Sequence, residues 1–300
     1  MHKRGKMLEL FKKLPKIIPE AYALGNVQVK PFDNILVCGM GGSGFPGYLL
    51  RDLVEIPVVI AQSYTIPHYV TKKTLAFIIS YSGNTEETIA MLKETRKRTK
   101  NIVLITSNGK LSREKERKII VPTGMEPRDA LPYLFFPMWK ILKGKNVQET
   151  IQTIQQISVL ETQRLARKLK NKFPIIYASA ENGAIALRWK TQLNEDDKKL
   201  AIANVYPEMN HNEIESDFRR TYAILIRDKH DHYRIKKRMN FTKKHLHAKE
   251  IYLKGSSKLA RIFYGIYFGD LTAYYLASLY NKDPYAYVFI ESLKKRLRHA

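Results

Sequence analysis

Cysteine is nearly missing from this 300-residue chain, and the single one, Cys38, excludes any intrachain disulfide. It closes an apolar run, where core packing is its simplest role, and such sparse usage fits a reducing, cytoplasmic setting. Long apolar runs are lacking as well. No stretch approaches the roughly 18–20 uncharged apolar residues of a membrane-spanning helix, so a soluble protein without membrane contact is expected. The opening stretch MHKRGKMLELFKKLPKII mixes basic with apolar residues and has no uninterrupted apolar segment or small-residue cleavage site, so it does not read as a signal peptide. Acidic residues are scarce too: 28 Asp and Glu face 52 Lys and Arg, a net charge of +24. That surplus suits nucleic acid, an anionic membrane or a phosphorylated metabolite alike. The basic residues fall in scattered clusters such as Arg96-Lys97-Arg98 and Lys236-Lys237-Arg238. No aromatic RNA-binding run or zinc-finger spacing accompanies them, so they read as solvated faces and argue against nucleic acid as a partner. Abundant Lys and Tyr with little Cys lean toward a hot habitat.

What is present is organised around two stretches. ILVCGMGGSGFPGYL, from Ile35 to Leu49, and FIISYSGNTEET, from Phe77 to Thr88, each run from a short apolar strand pattern into a loop of Gly, Ser, Asn or Thr, then into a helical pattern. This layout holds phosphate: glycines let backbone N–H groups converge on an anion, hydroxyls donate at close range, and the helix offers its positive end. Gly39-x-Gly41-x-x-Gly44 also spells the dinucleotide fingerprint. That fold needs an acidic residue at the end of the next strand, and VVIAQSY ends in Gln62-Ser63, so NAD is not expected. No Gly-Lys-Ser/Thr follows, which excludes a Walker loop. His230-x-His232 and His245-x-His247 lack a third ligand at suitable spacing and sit in basic surroundings, so neither metal nor cofactor is expected.

With 44% hydrophobic residues the chain can bury two medium cores, and we expect two domains, 1–145 and 146–300. Residues 1–30 read as one or two helices. Strands are expected at 35–38, 57–61, 75–80, 101–106 and 119–121, with helices at 45–54, 86–98 and 130–142 between or after them. A long amphipathic helix, 147–170, then leads to a strand at 173–178, followed by strands at 200–204, 222–227 and 250–253. Helices close the chain at 261–280 and 289–298. FPIIYASAENGAIALRWK repeats the layout of the first Gly-rich stretch as a weak internal repeat. The fold class expected is α/β, two doubly wound, flavodoxin-like parallel sheets, with ligands at the carboxyl ends of strands.

GMGGSG and SYSGNTEET resemble the loops of sugar isomerase (SIS) domains. Together with EPRDALPYL at 126–134, KTQLNE at 190–195 and PEMNHNEI at 207–214, they make the chain similar to the archaeal bifunctional phosphoglucose/phosphomannose isomerases of the phosphoglucose isomerase superfamily. The resemblance spans both halves in order. It implies interconversion of glucose 6-phosphate, and of mannose 6-phosphate, with fructose 6-phosphate through a cis-enediol. It places the base at Glu195, the stabilising cation at Arg128, and a ring-opening imidazole at His211, contributed across a homodimer. Lys294 falls where the family has a lysine on a C-terminal helix that returns to the active site. Phosphate is expected on Gly41, Gly42, Ser43, Ser80, Ser82 and Thr85. The chain departs from the family in having no Thr after Thr272, with Tyr285 and Tyr287 in the neighbourhood associated with mannose 6-phosphate. Read without the family, Glu195 in NEDDKK is an exposed polar turn, His211 a loop residue, and Lys294 part of a basic face with Lys295 and Arg296. The alternative is a non-catalytic SIS-domain sensor of phosphosugars that touches nucleic acid.

Overall fold

The structure, a computed structural model, describes residues 6–297. Its framework is two parallel sheets built by the same rule. In the first, β1 (Asn34–Cys38), β2 (Val58–Ala61), β3 (Thr74–Ile79), β4 (Ile102–Thr106) and β5 (Arg117–Ile120) lie in the order β2-β1-β3-β4-β5. In the second, β6 (Phe173–Ser179), β7 (Ile202–Tyr206), β8 (Thr221–Arg227) and β9 (Lys249–Tyr252) lie in the order β7-β6-β8-β9. All pairs are parallel; Val37, for example, registers with Ile60 on one side and Phe77 on the other. Central strands such as TLAFII are buried at every residue, as sheets covered on both faces require. The chain reverses direction across the sheet between β1 and β3, and again between β6 and β8, the switch points at whose carboxyl ends sheets of this kind bind ligands.

The helices are α1 (Lys6–Ala23), α2 (Phe45–Leu53), α3 (Glu86–Arg98), α4 (Gly109–Ser112), α5 (Leu131–Ile141), α6 (Val147–Gln155), α7 (Val159–Leu169), α8 (Gly183–Asp196), α9 (Tyr233–Leu246), α10 (Lys258–Leu279) and α11 (Val288–Leu297). α5 and α10 are apolar nearly all round, the composition of helices enclosed by other elements. One apolar cluster runs from Val37 and Phe77 of the first sheet, through Phe135, Phe136 and Phe263, to Ile176 and Ile224 of the second. The outer faces have separate cores. Leu36 and Ile78 pack with Met91 of α3, and Tyr177 and Leu225 pack with Met239 of α9.

The expected helix over 147–170 is two helices. Ser158 caps α7 by accepting the Glu161 N–H at 3.3 Å, a local start signal that the continuous apolar period overrides in the sequence. The strand expected at 200–204 lies two residues later, as β7, with Leu200 exposed. α9 was not expected at all, because only Ile235, Met239 and Thr242 of its 14 residues are buried and so thin a stripe is masked by lysines and arginines. No described residue of α11 is buried, and Arg298, the expected end of that helix, lies outside the described residues. Among the described residues no helix is long and apolar enough to cross a membrane.

Candidate active site

The two loops singled out in the sequence leave adjacent strands, β1 and β3, at their carboxyl ends. After β1 the chain makes a short 3-10 turn, Gly41–Ser43. Gly41 has φ of +51° with open space beside it, a left-handed conformation that glycine adopts freely. Gly42 is needed for proximity: a Cβ there would stand 2.8 Å from the backbone nitrogen of Arg128. The second loop locks onto the first where the Tyr81 N–H donates to Ser43 Oγ at 3.1 Å. Within it Ser80 Oγ shares a hydrogen bond of 2.9 Å with Thr85 Oγ1 and lies 3.5 Å from Ser82 Oγ. Three hydroxyls therefore meet at the amino end of α3, beside the glycine turn.

Tyr81 also positions the cation. Its hydroxyl donates to the Pro122 carbonyl at 2.8 Å and accepts the Met125 N–H at 2.9 Å, fixing the segment that leads to Arg128. Arg128 itself is buried, only 3% exposed. Its Nη1 donates to Glu195 Oε2 at 3.3 Å, and its Nη2 donates to the Pro284 carbonyl at 3.0 Å and lies 2.8 Å from Asp196 Oδ1. Asp129 Oδ1 is 3.8 Å from Nε. The rings of Tyr285 and Tyr287 lie over the guanidinium at 5.2 and 5.4 Å. The segment 283–287, ahead of α11, thus straps across Arg128. Glu195 is more open, its side chain one-third exposed. Lys198 donates to the Glu195 carbonyl and lies 5.2 Å over Tyr287, its ammonium pushed below the ordinary lysine range by burial and then by the charge of Arg128.

α8 carries Glu195 and Asp196 at its end and is tied to the first half along its length. At its start the Ala184 N–H donates to Asp52 Oδ2 of α2 at 2.9 Å. In its middle, buried Arg188 donates to the Arg128 carbonyl at 3.0 Å and grips Asp270 of α10 through Nε at 3.0 Å and Nη2 at 2.8 Å.

Of the residues singled out in the sequence, Gly41, Gly42, Ser43, Ser80, Ser82 and Thr85 share one crevice, and Arg128 and Glu195 adjoin it. His211 sits exposed on the 3-10 turn Glu208–His211 after β7, and Lys294 is exposed on α11. No hydrogen bond or ion pair among the described residues joins either to Arg128 or Glu195. The reading of NEDDKK as an exposed turn is corrected: Glu195 and Asp196 end α8, and Asp196 and Asp197 are buried at 1% and 3% exposure. Asp129, Arg188, Asp196 and Asp270 escape a sequence reading because their partners are remote along the chain. An acid in the middle of the otherwise apolar α10 is the one signal that could have exposed Asp270, and with it the need for a buried cation.

Two parallel sheets of one strand order, with a hydroxyl and glycine cradle at the crevice of the first, define a double SIS-domain protein. The chain matches the SIS domain over residues 32–138 and the bacterial phospho-glucose isomerase C-terminal SIS domain over 159–297. The C-terminal domain of glucosamine-fructose-6-phosphate aminotransferase from Francisella tularensis shares the fold, with a TM-score of 0.74 at 13% identity over 94% of this chain and 99% of that one. The chain is 36% identical to the bifunctional phosphoglucose/phosphomannose isomerase of Caldicellulosiruptor bescii, covering 97% of this chain and 98% of the relative. It is also 36% identical to the isomerase of that name from Thermoplasma volcanium, covering 90% and 93%. It belongs to the bifunctional phosphoglucose/phosphomannose isomerase family.

Proposed function

We propose that the chain is an aldose-ketose isomerase that interconverts glucose 6-phosphate, and mannose 6-phosphate, with fructose 6-phosphate. The observation that carries this reading is the contiguity of three parts. The Gly42 turn abuts the Arg128 backbone, and the Arg128 guanidinium meets Glu195 at 3.3 Å. The phosphate lies between the turn at Gly41, Gly42 and Ser43 and the hydroxyls of Ser80, Ser82 and Thr85. The sugar carbons then extend toward Glu195.

In the open-chain aldose, the Glu195 carboxylate removes the proton from C2. The C–H electron pair becomes the C1–C2 double bond, and the carbonyl electrons move onto O1. Arg128 stabilises this enediolate, a role worth roughly 2.7–4 kcal/mol for a well-aimed donor. The glutamic acid returns its proton to C1 while the proton of the O2 hydroxyl passes to O1, so that the O2 electrons form the C2 carbonyl of the ketose and O1 ends as a hydroxyl. No redox step or cofactor is needed. To reach Arg128, the substrate displaces the strap of Pro284 to Tyr287 from its covering position. His211 serves ring opening from the partner subunit of a homodimer, which accords with its exposure on the turn after β7. Lys294 joins the site when α11 packs. The chain divides into domains at 145/146, between α5 and α6, and works in the cytoplasm.

Glu195→Gln tests the reading. Isomerisation falls by roughly 10²–10⁴-fold, while fructose 6-phosphate binding stays within about threefold because the cradle is untouched. Turnover in deuterated water places deuterium at C2 of the aldose. A label retained by direct hydride shift removes Glu195 as the base, and a wild-type protein that binds but never turns over favours a non-catalytic sensor. Offering each hexose phosphate separately in a coupled assay shows whether Tyr285 and Tyr287 leave room for mannose 6-phosphate.

A further inference from the structure

Three buried carboxylates, Asp129, Asp196 and Asp270, face the arginines of this site, and the last two are held differently. Asp270 receives two aligned hydrogen bonds from Arg188, so its carboxylate is held by directed bonds. Asp196 is 1% exposed, yet neither of its oxygens has a hydrogen-bond partner. Among the described residues its one ion-pair partner is Arg128, at 2.8 Å but without hydrogen-bond alignment. A buried charge held by attraction alone gains and loses its proton more readily than one locked by directed bonds.

The same guanidinium serves Asp196 through Nη2 and Glu195 through Nη1. We propose, resting on the isomerase reading, that Asp196 is a positioning residue. It anchors Nη2 so that Nη1 faces Glu195 and the reacting oxygens, and its protonation state sets how much of the Arg128 charge reaches the enediolate. The neutral acid leaves that charge to the substrate. The carboxylate draws it away.

The groups facing Asp196 come from every side. Arg128 and Asp129 approach from the segment before α5, Asp270 from α10, Arg188 from its own helix, Lys198 from the turn beyond, and Tyr285 from the strap. Burial pushes the carboxyl up to about 8, Arg128 opposes this, and Asp129 and Asp270 add to it. The ionisation expected of Asp196 in the unliganded protein therefore falls near 8.

The test is the pH profile of kcat from about pH 6 to about pH 10 for wild type and Asp196→Asn, a near-isosteric change whose amide oxygen still faces Nη2. In the wild type, one ionisation near 8 lowers kcat about tenfold by about pH 9. In Asp196→Asn that decline is lost while KM stays within about threefold. A variant that is less stable or slower but keeps the wild-type profile shows a merely structural residue and overturns the inference, leaving the isomerase reading intact. A wild type without turnover overturns both. If Asp196→Asn does not fold, a carboxyl-carbon NMR titration of the wild type decides: an Asp196 signal that shifts in this range supports the inference, and one that stays constant overturns it.

Discussion

Replacing Gly42 by alanine puts a methyl carbon 2.8 Å from the Arg128 nitrogen and 2.9 Å from its Cα and the Pro127 carbonyl carbon. Ordinary contact begins at 3.4 Å, so the methyl is about 0.6 Å too close. All three neighbours are backbone, and they are held: the Arg128 carbonyl accepts from Arg188, and the Asp129 N–H donates to Glu126. The turn must therefore move instead of its neighbour, at a cost of about 1–3 kcal/mol for overpacking. A displacement approaching an ångström between the cradle and the acid lowers kcat/KM by roughly 10²-fold. Gly41 next door provides the internal control. Nothing lies within 4 Å of its Cβ position, but its φ of +51° makes Gly41→Ala cost about 1–2 kcal/mol through backbone strain alone. Asparagine tolerates that conformation, so Gly41→Asn recovers stability relative to Gly41→Ala, whereas Gly42→Asn is worse than Gly42→Ala. Urea unfolding of the four variants, with a coupled isomerase assay of Gly42→Ala, separates the two causes. A Gly42→Ala protein with parental stability and kcat/KM, or a Gly41→Asn protein no better than Gly41→Ala, refutes the reasoning.

Arg188→Met leaves the Asp270 carboxylate buried without its cation and destabilises the fold by about 3–5 kcal/mol in urea unfolding, whereas Arg188→Met with Asp270→Leu recovers most of the loss. A single variant within about 1 kcal/mol of wild type contradicts this. Asp197 is buried and its carboxyl is pushed up to about 7 by desolvation, so folding is favoured when it is protonated. Both states hold the proton below the unfolded value near 4, and the stability it supports is lost as pH rises from there to about 7. Asp197→Asn keeps the acceptor for the Lys199 N–H and flattens that decline. Parallel stability curves for the two proteins between about pH 4 and pH 7 rule it out.

The sheets were legible in the sequence because strands buried on both faces read as unbroken apolar runs, TLAFII and FPIIYAS among them. The crevice residues were legible because their chemistry is local: six of them lie in two loops, each directly after a strand. Glu195 is singled out only through the family resemblance, since what sets it apart in the fold is its contact with Arg128, 67 residues earlier. The strap was hidden for the same reason, with Pro284 meeting Arg128 across 156 residues. Misread boundaries had local causes. The cap at Ser158 was in plain view as Ser-x-x-Glu, and the interior stripe of α9 was too narrow to register against its charge.

α8 is clamped at three stations by the first half of the chain: Asp52 at its first turn, the Arg128 carbonyl under Arg188 midway, and the Arg128 guanidinium at its last turn. From Ala184 to Glu195 the rod is about 16 Å long. Held at both tips and the centre, it has little freedom to slide or roll, so its acid is aimed by residues belonging to the opposite lobe. The Glu195 carboxylate, the base in the proposed reaction, thus inherits its bearing from α2 and from the segment before α5. Asp52 holds the far tip of that rod, about 16 Å from Glu195, and its loss leaves two of the three holds.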